Sequence, residues 1–138
     1  TARYDFNRRL VKKIRPEVAV MASGDEHLLS CFMIGTEGSL VSLAIIIPDA
    51  IIGLYKSIIN KNLEKAMNYH NIIYPLAKAI YGTMPASYAT ARLKTCLKLI
   101  GKIPNDKMRS TMNPLNKIEI DNLKTAISLA GLKTIDNQ

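Results

Sequence analysis

Asp25 and Glu26 are the residues of this 138-residue chain whose types and setting best fit chemistry. They stand in Ser23-Gly24-Asp25-Glu26-His27, directly after the short apolar run Val18-Ala19-Val20-Met21-Ala22. A carboxylate pair at the end of a strand can accept hydrogen bonds from substrate hydroxyls. Asp25 can equally cap a helix starting near Glu26, and the two roles can coexist. The second place is Gly35-Thr36-Glu37-Gly38-Ser39-Leu40-Val41-Ser42, which runs into another apolar stretch. Its glycines do not match a phosphate-binding fingerprint and suit a tight passage from helix to strand. His27, in the first turn of a helix, and His70, on an apolar helix face, read as structural. Cys31 and Cys96 sit in apolar helical contexts and read as buried free thiols of an intracellular protein. With two widely spaced histidines they make no zinc site.

The elements that would position these residues follow from periodicity. Arg3 to Ile14 reads as a helix with an apolar stripe of Phe6, Leu10, Val11 and Ile14. Asp5 can cap it and Pro16 stops it. Val18 to Ala22 suits a strand buried on both faces, as in a parallel sheet. Glu26 to Ile34 is helical in character and ends at Gly35. Ser39 to Ala44 is a second strand-like run. Helix, strand, helix, strand is the signature of βα units. From Pro48 the chain is mostly helical. Ile51, Ile52, Tyr55, Ile58 and Ile59 carry one stripe, and Asn62 can cap a second helix bearing Leu63, Ala66, Met67, His70, Ile73 and Tyr74. Pro75 is expected to bend or break that helix. A further helix covers about Ala86 to Ile100, stopped by Gly101. A linker from Pro104 to Pro114 precedes a last helix lined by Ile120, Leu123, Ile127 and Ala130 and ended by Gly131. Tyr and Met residues at helical spacing read as core.

A pair of strands cannot make an independent parallel sheet, because each central strand needs neighbours to satisfy its backbone groups. The first fifty or so residues therefore read as a piece of a larger α/β body. In a (β/α)₈ barrel the active site lies at the carboxyl ends of the strands, where Asp25 and Glu26 fall.

Hydrophobic residues make up 48% and charged residues 22%, the balance of an ordinary globular protein. No apolar run reaches the 18 or so residues of a membrane span, and the charged stretch from Thr1 to Arg15 lacks the apolar core of a signal peptide. The net charge of +8 raises nucleic acid as a partner. However, Arg8, Arg9, Lys12, Lys13, Lys56, Lys61, Lys65, Arg92, Lys94, Lys98 and Lys102 are spread out and read as solvated helix faces. With no Trp and two Phe, the chain is poor in stacking platforms.

Taken together, Ser23-Gly24-Asp25-Glu26, the Gly35 to Ser42 segment and Pro48 resemble strands seven and eight of the dihydrodipicolinate synthase / N-acetylneuraminate lyase family. The helix restart at Asn62-Leu63-Glu64-Lys65-Ala66 and a three-helix extension fit as well, so the likeness covers essentially the whole chain. Val41 departs from the glycine or serine usual before Ser42. The resemblance implies the carboxyl-terminal part of a (β/α)₈ barrel over residues 1–81, followed by a helical extension over 82–138. It implies a class I pyruvate aldolase or lyase without a cofactor. A lysine amine forms a Schiff base with a 2-keto acid, and the iminium serves as electron sink. Thr1 matches the residue two after that lysine, so the nucleophile is expected just upstream of residue 1 and the isolated chain is expected to be inactive. None of Lys12, Lys13, Lys56 or Lys78 lies at a strand end. Thr1, Gly24, Asp25, Glu26, Leu40 and Ser42 align with substrate-binding positions. Asp25, Glu26 and Ser42 lean toward a sugar-acid or sialic-acid substrate. The alternatives are a dihydrodipicolinate synthase of lysine biosynthesis or a catalytically inactive member. The resemblance further implies a cytoplasmic homo-oligomer, a tetramer or dimer, completed by the remaining part of the barrel, with neither nucleic acid nor membrane as partner.

Overall fold

The computed structural model describes residues 2–109 and 112–135. These fall into two compact units, residues 1–70 and 71–138. The division between the two units falls within a long helix.

In the first unit α1 spans Ala2–Ile14. Asp5 does not cap it. It lies inside the first turn, with its carboxylate 3.3 Å from Arg8 and 2.8 Å from Arg9. The stripe of α1 is uncovered in this chain: Phe6 is 66% and Ile14 65% exposed. β1 is only Met21–Ala22 and β2 only Gly38–Ser39, and they pair in parallel with Met21 opposite Gly38 and Ala22 opposite Ser39. The expected strand from Val18 is shorter because side chains take its backbone groups. Lys12 Nζ donates to the Val18 carbonyl at 2.9 Å, and Glu37 Oε2 accepts from the Val20 amide at 2.8 Å. Nor is this run buried on both faces, since Ala22 is fully buried but Met21 stays exposed.

Between the strands, a 3₁₀ turn at Asp25–His27 leads into α2, Leu28–Met33. Gly35, with φ +92°, lets the chain leave α2. After β2 the second expected strand also ends early. Val41 is still extended, but Ser42–Ile45 form a 3₁₀ turn. Then α3 begins at Pro48, with proline in the first helical position, and runs to Ile59. The core of this unit is Leu28, Cys31, Phe32, Leu43, Ile51 and Leu54, with the rings of Phe32 and Tyr55 edge to face at 5.1 Å.

α4 spans Leu63–Tyr81, and Asn62 caps it by accepting from the Lys65 amide at 2.9 Å. Pro75 sits inside without breaking it. Proline costs the helix one amide donor, and the flanking turns carry the helix through. Ala66 and Ile73 are buried, whereas Met67 and Tyr74 are exposed, as is Met33 of α2. The core reading of the Tyr and Met residues therefore fails at these positions. The second unit adds a 3₁₀ turn at Ala86–Tyr88, α5 at Ala89–Leu99 and α6 at Lys117–Leu129. Its core contains Ile80, Cys96, Leu123 and Ile127. Arg92 contradicts the solvated-face reading. It is 1% exposed, and its guanidinium donates to the carbonyls of Ile80, Thr83, Met84 and Pro85 and to Glu119. Among the described residues no helix is long and apolar enough to cross a membrane.

Candidate functional site at the carboxyl ends of the strands

Because β1 and β2 are parallel, Ser23–Glu26 and Leu40–Ser42 leave the sheet at the same edge. Three contacts hold this edge. The ladder pairs the strands, the Leu40 amide donates to the Ala22 carbonyl at 2.9 Å, and the Leu43 amide donates to Asp25 Oδ1 at 2.7 Å. Gly24 opens the 3₁₀ turn with φ +91°, a conformation that favours glycine, and its carbonyl accepts from the His27 amide at 3.0 Å. This turn aims the next side chain inward, leaving Asp25 only 6% exposed.

Asp25 is thus a cap, but of a different element from the one the sequence indicated. It satisfies an amide of the turn that follows β2, not of the helix it begins. Burial pushes its carboxyl above the usual range. The Leu43 amide and, more weakly, the Ser42 amide pull it back, while the neighbouring Glu26 charge raises it further. Glu26 is half-buried, Ser42 exposed and Leu40 83% exposed. Thr1 lies outside the described residues. The edge therefore offers a carboxylate, a hydroxyl and backbone groups, a set that can bind and orient a polar molecule.

The opposite, amino-terminal edge carries a second polar cluster that the sequence did not single out. Lys12 Nζ donates to Glu37 Oε1 at 2.6 Å and to the carbonyls of Pro16 and Val18, and Tyr55 Oη donates to the Glu37 carbonyl. Lys12 holds the Glu37 carboxyl below the usual range. A glutamate between two glycines was the available signal. Its partners lie as far as 25 positions away in the sequence, which no local pattern reveals. Lys12 is committed here, away from the carboxyl edge.

With this geometry the chain belongs to the dihydrodipicolinate synthetase family, whose model matches residues 2–130. It is 29% identical over 109 residues to a 4-hydroxy-tetrahydrodipicolinate synthase of Thermosipho melanesiensis, covering 78% of this chain and 36% of the relative. Its fold is that of a prophage protein of the dihydrodipicolinic acid synthase family from Escherichia coli K12, solved in complex with pyruvate. That match has a TM-score of 0.80, 21% identity, and covers 95% of this chain and 43% of the other. An N-acetylneuraminate lyase from Fusobacterium nucleatum also matches, with a TM-score of 0.73, 20% identity, and coverage of 89% and 40%. The chain spans about two-fifths of the length of these proteins. Family members are lyases and aldolases.

Proposed function

We propose that this chain is the carboxyl-terminal part of a (β/α)₈ barrel in a Schiff-base-forming enzyme that makes or breaks a carbon–carbon bond beside pyruvate in a 2-keto acid. β1 and β2 are then strands seven and eight, residues 1–81 belong to the barrel, and 82–138 form the helical extension. One observation carries the reading: in a chain of this family, two parallel strands joined through α2 present their carboxyl ends on one clamped edge. That edge is where barrels of this kind keep their active sites. The reactive amine belongs to a lysine two positions before Thr1, outside this sequence. Its iminium withdraws electrons from the bond that forms or breaks. Thr1, Gly24, Glu26, Leu40 and Ser42 wall the pocket and orient the keto acid. The exposed stripe of Phe6, Leu10 and Ile14 is covered by the remaining barrel, and the whole is a cytoplasmic homo-oligomer. Two buried, unpaired cysteines support a reducing compartment.

The synthase reading, condensing pyruvate with an aldehyde, stands ahead of sugar-acid cleavage. A 4-hydroxy-tetrahydrodipicolinate synthase as curated relative supports it. The lean toward a sugar acid leaned on Asp25, Glu26 and Ser42, and Asp25 is turned to the Leu43 amide. The test is borohydride reduction of the complete enzyme with pyruvate, followed by peptide mass spectrometry. The expected result is an adduct on the lysine two residues before Thr1. A natively folded enzyme without that adduct removes the proposal.

A further inference from the structure

The carboxylate of Asp25 reaches across 18 sequence positions to a backbone amide, from a residue that is only 6% exposed. A carboxylate in such a place is costly unless hydrogen-bonded. Here the bond serves a definite local need. After Val41 the chain leaves extended conformation and turns into the Ser42–Ile45 3₁₀ segment. The first amides of such a segment have no acceptor within it, and its own cap residue, Val41, has no side chain to offer one. Asp25 supplies the acceptor from the other strand's exit loop. The link fixes the corner through which Leu40 and Ser42 are presented. Leu40 itself is 83% exposed and has little packing to hold its place.

We propose that Asp25 is a positioning residue of the keto-acid pocket: through the Leu43 amide it sets the Leu40–Ser42 wall, and it makes no contact with substrate itself. The functional half of this proposal rests on the aldolase reading above; the structural half does not. An asparagine at position 25 keeps an oxygen in place for the amide, whereas alanine keeps none, so the two variants separate acceptor from charge.

The first measurement is amide hydrogen exchange of the chain. Asp25→Ala should speed exchange at Leu43 by about tenfold or more, the loss of one buried acceptor, and Asp25→Asn should retain protection. Asp25→Ser, whose hydroxyl falls short, serves in place of the alanine variant if that one fails to fold. The second measurement is steady-state kinetics of the complete enzyme. Asp25→Ala should lower kcat/KM for the second substrate about tenfold or more, and Asp25→Asn should recover most of it. Asp25→Asn as impaired as Asp25→Ala, with Leu43 still protected, would show that the charge acts on substrate and overturn the proposal. Unchanged exchange at Leu43 in Asp25→Ala would overturn it as well. Failure of the pyruvate–borohydride reaction in the wild type would instead sink the aldolase reading, with the exchange result still deciding whether the clamp exists.

Discussion

Asp25 has an electrostatic consequence that can be measured apart from any activity. Burial raises its carboxyl above the ordinary value of 3.8 despite the Leu43 amide. A folded state with the higher pKa binds the proton more tightly than the unfolded chain. Stability contributed by this group therefore falls as pH rises from about 3.8 to the folded value, and is flat above it. Glu37, held low by Lys12, has the opposite sign: its contribution is present above the ordinary 4.5 and is lost as pH falls through the lowered value. Urea midpoints of the wild type contain both trends. The difference between Asp25→Asn and wild type isolates the first. The variant should gain on the wild type as pH rises through and above about 3.8, and hold that gain once the pH has passed the raised folded-state value. A difference that does not vary with pH would mean that Asp25 titrates alike in both states. Little of this was readable from residue type alone. Gly24-Asp25-Glu26 marks a polar strand end, but whether an aspartate faces solvent or an amide 18 positions on is decided by the turn that buries it.

At the scale of elements, capping separates what a local pattern can reveal from what it cannot. Asn62 is read as the cap of α4 from its place before an apolar-periodic run, and its side chain does accept from the Lys65 amide. Asn116 caps α6, and Asn116-x-x-Glu119 is the local pattern for it. Asn116 accepts from the Glu119 amide at 2.9 Å, and Glu119 accepts from the Asn116 amide at 3.2 Å, a reciprocal capping box. Asn116→Ala should cost about 1 kcal/mol of stability, read as a fall in the urea midpoint at unchanged slope, and Asn62→Ala a similar amount. A cost near zero for Asn116→Ala would mean that the Glu119 carboxylate alone secures the start of α6. Helix existence, the stops at Gly35, Gly101 and Gly131, and proline at the head of α3 were all legible, because they depend on residues within a turn of each other. Strand length was not. The Val18–Ala22 run has the composition of a buried strand, but pairing depends on a distant partner, and Lys12 and Glu37 capture part of its backbone. Pro75 misled in the other direction: a single missing donor does not outweigh the packing of Ile73, Leu76, Ala77 and Ile80 on the same helix.

For the molecule as a whole, each compact unit carries its own buried thiol: Cys31 in residues 1–70 and Cys96 in residues 71–138. Burial pushes Cys96 up to about 12 and raises Cys31 as well. Only the thiolate reacts, so labelling near pH 8 should wait for each site to open, and each cysteine reports the unit that buries it. Arg92 supplies the perturbation. The sequence places it among surface cations, yet it falls on the helical face of Cys96 and Leu99, and a fork of donors is what the carbonyls around Thr83-Met84-Pro85 require. Removing it strands those carbonyls and Glu119, a loss of about 3–5 kcal/mol for a buried, hydrogen-bonded charge. With a urea slope of about 1.5 kcal/mol per M, Arg92→Ala should lower the Cys96 labelling midpoint by roughly 2 M or more. Arg92→Lys, with a single ammonium in place of the planar fork, should recover only part of that. The Cys31 midpoint should move less than the Cys96 midpoint, because every partner of the guanidinium lies in residues 71–138. Equal shifts at both cysteines would show that the two units open as one cooperative body, and no shift at Cys96 would show that water replaces the guanidinium among those carbonyls at little cost.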